Sequence, residues 1–170
     1  MTTALNGKIR SKIRIMSRNQ KAPREIERKF LVPDLPTLTN YPHIEISQGY
    51  LVSLDNGLQV RLRKSGDRYS LTYKRGTGNV REEREIELGA DQFEKLWPAT
   101  EGKRLVKTRY EIPLDARIVE IDVYHERHEG LIVAEVEFDE EETAKNFKPP
   151  AWLGDDVTGD PRYSNQLLAS

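Results

Sequence analysis

Apolar and polar residues alternate with period two along eight segments of the chain, residues 25–32, 43–52, 57–64, 68–75, 80–88, 105–112, 117–124 and 131–138. In 57–64, Leu58, Val60 and Leu62 oppose Gln59, Arg61 and Arg63, and in 68–75, Leu71 and Tyr73 oppose Thr72 and Lys74. Turn residues separate most segments, such as Asp55-Asn56-Gly57 and Gly76–Asn79. This pattern predicts short antiparallel strands in a sheet or barrel. Gly49 inside the second segment predicts a bulge. Three helices are expected. Residues 90–98 place Phe93, Leu96 and Trp97 at helical spacing, with Asp91 as N-cap, Glu94 three residues on, and Pro98 as the stop. Residues 139–147 begin with acids, which suits a helix N-terminus, and 161–169 form a short terminal helix.

Composition sharpens this outline. With 170 residues the prior is one domain, and 32% of them are charged, against about 25% in ordinary soluble domains. Residues 1–24 hold Lys8, Arg10, Lys12, Arg14, Arg18, Lys21 and Arg24 and no acid, so the body carries a net −8. The expected organisation is a flexible basic extension over 1–24 and a domain over 25–170. No run of apolar residues reaches the ~20 that cross a bilayer. The absence of cysteine excludes disulfides and thiolate chemistry, and fits the cytoplasm.

The charges cluster by sign within strands. Glu120 and Asp122 share a face, as do Glu135 and Glu137, Arg61 and Arg63, and Lys107 and Arg109. In "PREIERKFLV", Glu25, Glu27 and Lys29 share another. An open sheet with its charges in water explains alternation, but solvent faces usually mix signs because like neighbours repel. The competing reading is a closed barrel with its apolar face outward and a polar lumen. Arginine forks would then cradle a polyphosphate, and carboxylates would hold Mg²⁺ or Mn²⁺.

The segments "EIERKFLV", "QGYLV", "QVRLRK", "LTYKR", "REEREIEL", "FEKLWPATEG", "VKTRYEI", "EIDVY", "AEVEF" and "RYSNQLLA" resemble, in order and spacing, the short bacterial members of the CYTH, or triphosphate tunnel metalloenzyme, family. The likeness runs from about residue 24 to residue 170 and opens on the ExExK motif of Glu25, Glu27 and Lys29. It implies a mainly β fold with a few helices, a closed eight-stranded antiparallel tunnel that binds triphosphates with divalent metal. It implies metal ligation by Glu25 and Glu27, with Glu83, Glu85, Glu120, Asp122, Glu135 and Glu137 lining the acidic side and Glu135 or Glu137 completing the shell. It implies phosphate binding by Lys29, Arg61, Arg63, Lys74, Arg81 and Arg109, and catalytic or orienting roles for Lys29, Tyr50 and Lys107. Some relatives carry lysines where Ser164 and Gln166 stand in the last helix.

The expected activity is metal-dependent hydrolysis of inorganic triphosphate to pyrophosphate and phosphate, by a monomer or homodimer needing neither nucleic acid nor membrane. The alternatives are a nucleoside or thiamine triphosphatase, an adenylate cyclase of the same family, and a non-catalytic polyphosphate-binding module. His125 and His128 lack a third zinc ligand, His43 is read as having no role, and Trp97 and Trp152 are read as packing anchors.

Overall fold

A computed structural model describes residues 26–34, 37–76 and 82–170. Its strands are β1 (Ile26–Leu31), β2 (His43–Ser53), β3 (Gln59–Ser65), β4 (Arg68–Arg75), β5 (Glu82–Leu88), β6 (Arg104–Leu114), β7 (Arg117–Tyr124) and β8 (Ile132–Phe138). Its helices are α1 (Ala90–Leu96), α2 (Glu141–Asn146) and α3 (Asn165–Leu168), with 3-10 turns at Trp97–Thr100, Glu126–His128 and Pro161–Tyr163. The expected terminal helix is thus two pieces, broken at Ser164, whose hydroxyl caps α3 by accepting from Leu167 N. The N-cap of α1 is Gly89 rather than Asp91, because the Gln92 side chain reaches back to Gly89 N at 2.8 Å. The basic extension, Glu25 and Arg81 lie outside the described residues.

All eight strands join one antiparallel sheet in the order β1-β8-β7-β6-β2-β3-β4-β5. The ladder does not close into a ring among the described residues: β1 and β5 are its ends. The outer edge of β1 is already used. Leu31 N donates to Asp155 O, Gly154 N to Leu31 O, Val157 N to Lys29 O, and Lys29 N to the Thr158 hydroxyl. With those backbone groups satisfied, that stretch has nothing left to offer another strand. On the other face of β1, Arg28 clamps the same segment through Asp156 and reaches Phe147 O at 3.0 Å.

The sheet is nevertheless strongly curled. Lys29 on β1 meets Tyr163 O, while Gln59 on β3 meets Gln166. Strands β1 and β3 are five places apart in the sheet, about 24 Å if it were flat. Residues 163 to 166 span at most about 10 Å of chain.

The convex face is the apolar one. Phe30, Ile112, Val119, Ile121, Ala134, Val136 and Phe138 form a core there under α2 and Leu153, with Trp152 and Phe147 packed against it. Farther round, Phe93 of α1 meets Tyr69 of β4 at 4.9 Å and stacks on Trp97 at 5.0 Å. Trp97 is thus a packing anchor, with the Arg104 guanidinium 4.5 Å from its ring. The β2 bulge falls between Tyr50 and Val52, at Leu51, two residues past Gly49. Gly49 answers a different need: a Cβ there would sit 2.6 Å from the Thr100 side chain, so only glycine lets the 3-10 turn press on β2.

Candidate functional site

Residues opposite one another in an antiparallel ladder share a face, so the register maps the concave side directly. Lys29 lies opposite Glu135, which lies opposite Glu120, and Glu27 lies opposite Glu137. Arg109 lies opposite Asp122, Tyr50 opposite Arg61, Arg61 opposite Thr72, and Thr72 opposite Glu85. Lys107, Arg63, Lys74 and Glu83 fall on the same side by alternation. Every described residue that the sequence singled out for phosphate, metal or catalysis therefore stands on the concave face. The face is not wholly ionic. Tyr50, Leu105, Tyr124, Val133, Leu168 and Ala169 form an apolar cluster that seats α3 at one end.

Around β1, β6, β7 and β8 the charges are paired. Asp122 has no exposed side-chain surface and takes two bonds from Arg109, both at 2.6 Å, and one from Lys107 at 2.5 Å. Glu135 takes Lys29 at 2.9 Å and Arg109 at 2.8 Å, and Arg109 also binds Glu120. Burial alone would raise the two acids. Arg109 first, then Lys107 for Asp122 and Lys29 for Glu135, more than offset it and hold both carboxylates below their ordinary range. Burial pushes the Lys107 ammonium down to about 8, despite the pull of Asp122. Glu120 moves up, through burial and then through its acidic neighbours Glu135, Asp122 and Glu137.

On β3 the two inward guanidinium groups have no carboxylate partner among the described residues. Arg63 donates to Gln48 at 3.1 Å and Arg61 to Thr72 at 3.2 Å, both neutral partners. The Nε atoms of Arg61 and Arg63 are buried without a hydrogen-bond partner among the described residues. Burial, then repulsion from Arg61 and Arg109, pushes Arg63 down to about 10. A buried donor with no acceptor costs free energy unless a ligand supplies one. Lys74, next along this face, pairs with Glu83 at 2.8 Å.

A CYTH domain profile matches residues 23–157. The chain belongs to the CYTH domain family. An inorganic triphosphatase of Nitrosomonas europaea is 44% identical over 146 residues, 85% of this chain and 96% of that protein. Another, from Acetivibrio thermocellus, is 34% identical over 147 residues, 85% of this chain and 92% of that protein. A solved inorganic triphosphatase superposes with a TM-score of 0.69 at 41% identity, covering 88% of this chain and 97% of that one.

In this CYTH chain several polar residues at the site were not singled out from the sequence. Gln48, Thr72 and Tyr124 stand two positions from Tyr50, Lys74 and Asp122, so alternation could have placed them on the charged face. Asn165 had no such signal. It enters from α3, where its Oδ1 accepts from the Tyr124 hydroxyl at 2.6 Å and from Lys107 at 3.4 Å. The two histidines of the β7–β8 connection have structural contacts: His125 Nε2 meets the Thr108 hydroxyl, and His128 Nε2 meets Leu168 O. His43 packs on Tyr110 with the ring centroids 5.2 Å apart and the planes tilted by 32°. Among the described residues no three His, Asp or Glu side chains converge into a ready cation cage. The like-charged Glu27 and Glu137 are nevertheless opposed across β1 and β8 at an exposed position beside Glu120.

Proposed function

We propose that this chain hydrolyses inorganic triphosphate to pyrophosphate and phosphate with the help of a divalent cation, the curled sheet acting as a tunnel around the substrate. The observation that carries the reading is the pair of half-buried guanidinium groups of Arg61 and Arg63, whose Nε atoms are buried and unpartnered and which have no carboxylate partner among the described residues, on a face otherwise crowded with paired ions. A triphosphate brings several negative charges and many acceptor oxygens. Removing it from water calls for fixed cations with free donors. Arg61 and Arg63, with Lys74 beside them and Arg81 close in sequence, would grip the chain of phosphates. Lys29 and Arg109 would hold its other end once they loosen from Glu135 and Glu120.

The donor set also fits a hard cation. Glu27 and Glu137 repel across the ladder unless a positive charge lies between them, and carboxylate oxygens are what Mg²⁺ and Mn²⁺ take. Glu27, Glu137 and Glu120, with Glu25 preceding them, would hold it. Asp122 and Glu135 would chiefly keep Lys107, Arg109 and Lys29 in place, and Glu83 and Glu85 would do the same for Lys74 and, through Thr72, for Arg61. Bound there, the cation would neutralise phosphate oxygens and draw charge from the phosphorus under attack. Lys107 and Tyr50 would orient the substrate and steady the charge that develops as the anhydride breaks. The same reading has the enzyme acting in the cytoplasm, as a monomer or homodimer, without nucleic acid or membrane.

The testing experiment is phosphate release from tripolyphosphate, ATP, thiamine triphosphate and long polyphosphate, with Mg²⁺ and with Mn²⁺. Tripolyphosphate should be the best substrate, and Glu27→Gln or Lys29→Ala should lose about a hundredfold in rate. Release from ATP alone, or formation of cyclic AMP, would transfer the chain to another activity.

A further inference from the structure

Gln48 is a wholly buried amide on the concave face of β2, two residues before Tyr50. Its Oε1 accepts from Arg63 Nη2 at 3.1 Å, and its Nε2 donates to the Tyr50 hydroxyl oxygen at 3.3 Å. Chemistry forces this orientation. A guanidinium has donors and no acceptor, so only the carbonyl end of the amide can face Arg63. The amino end is then left for Tyr50, and it can only donate. The Tyr50 oxygen is thereby made an acceptor toward Gln48, and its own proton must go elsewhere. Among the described residues none receives it. The ring cannot swing away to find one: it is 2% exposed, wedged among Leu105, Tyr124 and Leu168. Tyr50 stands opposite Arg61 in the ladder, beside the two guanidinium groups whose Nε atoms lack partners.

We infer that Gln48 is a positioning residue that fixes Tyr50 as a hydrogen-bond donor to a triphosphate oxygen held beside Arg61 and Arg63. The inference rests on the triphosphatase reading above and adds a direction to it. Arg63 sets the amide, the amide sets the hydroxyl, and the hydroxyl proton faces the substrate. A carboxylate at position 48 would reverse this order, accepting from Arg63 and from Tyr50 at once and drawing the phenol proton off the substrate.

The experiment is steady-state hydrolysis of tripolyphosphate by wild type, Gln48→Glu, Tyr50→Phe and the double variant, with thermal unfolding of each. Gln48→Glu and Tyr50→Phe should each lower kcat about tenfold, the scale of losing one hydrogen bond made to the transition state. In the Tyr50→Phe background, Gln48→Glu should change kcat less than about twofold, because the hydroxyl it acts through is gone. It should still raise KM in both backgrounds, by neutralising Arg63. A purely structural role would make the kcat losses multiply. Multiplied losses, or wild-type kcat in Gln48→Glu or in Tyr50→Phe, overturn the inference. If Gln48→Glu shows no cooperative unfolding, the neutral Gln48→Met decides instead, with its kcat loss expected to vanish in the Tyr50→Phe background. A wild-type enzyme that releases nothing from tripolyphosphate sinks the activity reading and this inference together. Wild-type turnover with multiplied losses sinks the inference alone.

Discussion

Lys107 and Asp122 form an ion pair at 2.5 Å in which neither side chain has any exposed surface. Two charges taken fully out of water are tolerated only while they remain together, and here Arg109 shares the same carboxylate. Asp122→Ala should therefore destabilise the protein by about 3–5 kcal/mol, since it strands a buried ammonium and weakens the hold on the guanidinium. Urea denaturation measures this. Adding Lys107→Met should recover part of the loss, and no recovery would mean that the damage is not electrostatic.

Acid should act through the same cluster. Glu135 and Asp122 are held below their ordinary values of 4.5 and 3.8. For an acid whose folded pKa is lowered, the stabilisation is complete above the unfolded value and is lost as pH falls through it toward the folded one. The urea midpoint of metal-free protein should change little from this cause between about pH 7 and pH 5, then fall steeply below about pH 4.5. Glu135→Gln should flatten that acid limb. An unchanged slope would remove Glu135 from the account.

Arg63 should show the opposite balance between stability and activity. Its Nε is buried, its charge faces Arg61 and Arg109, and among the described residues its hydrogen-bond partner is a neutral amide. Arg63→Met should leave the ligand-free fold as stable as wild type or more stable by about 1 kcal/mol, because an unfavourable charge has gone. The same change should raise KM for tripolyphosphate about tenfold or more, through loss of a phosphate-binding fork. Calorimetry and kinetics on one preparation test both halves. A large loss of stability would contradict the first.

Asn165 ties the terminal helix to the site. Its carbonyl oxygen is the acceptor for the Tyr124 hydroxyl, whose residue is wholly buried, and for Lys107. Asn165→Ala should cost about 1–3 kcal/mol, the scale of leaving a buried hydroxyl without its acceptor. Asn165→Asp, which keeps an acceptor at that place, should cost less. Thermal unfolding ranks the three proteins, and an alanine variant as stable as wild type would show that α3 is held by its apolar contacts alone.

Much of this architecture was legible in the alternation. Glu27, Lys29, Arg61, Arg63, Lys107, Arg109, Glu120, Asp122, Glu135 and Glu137 occupy every second place in their strands, so a shared face follows from strand geometry alone. Asp91 misled because a helix start can be closed from inside by another side chain, here Gln92 reaching back to Gly89. Asn165 was invisible because its partners, Lys107 and Tyr124, are 58 and 41 residues away in the chain and nothing periodic links them.

The sequence by itself determined the strands, the sorting of ionic from apolar side chains onto opposite faces, and hence which residues can act together. It could not decide which face curls inward, since a two-residue period reads the same with the sheet bent either way. Only the tertiary structure chose, by laying α1, α2 and the 147–157 segment over the apolar side and drawing residues 163–166 across the charged one. Among the described residues it also left the ladder open at β1, where residues 154–157 take the strand's edge. Those are backbone hydrogen bonds, and no pattern of side chains announces them.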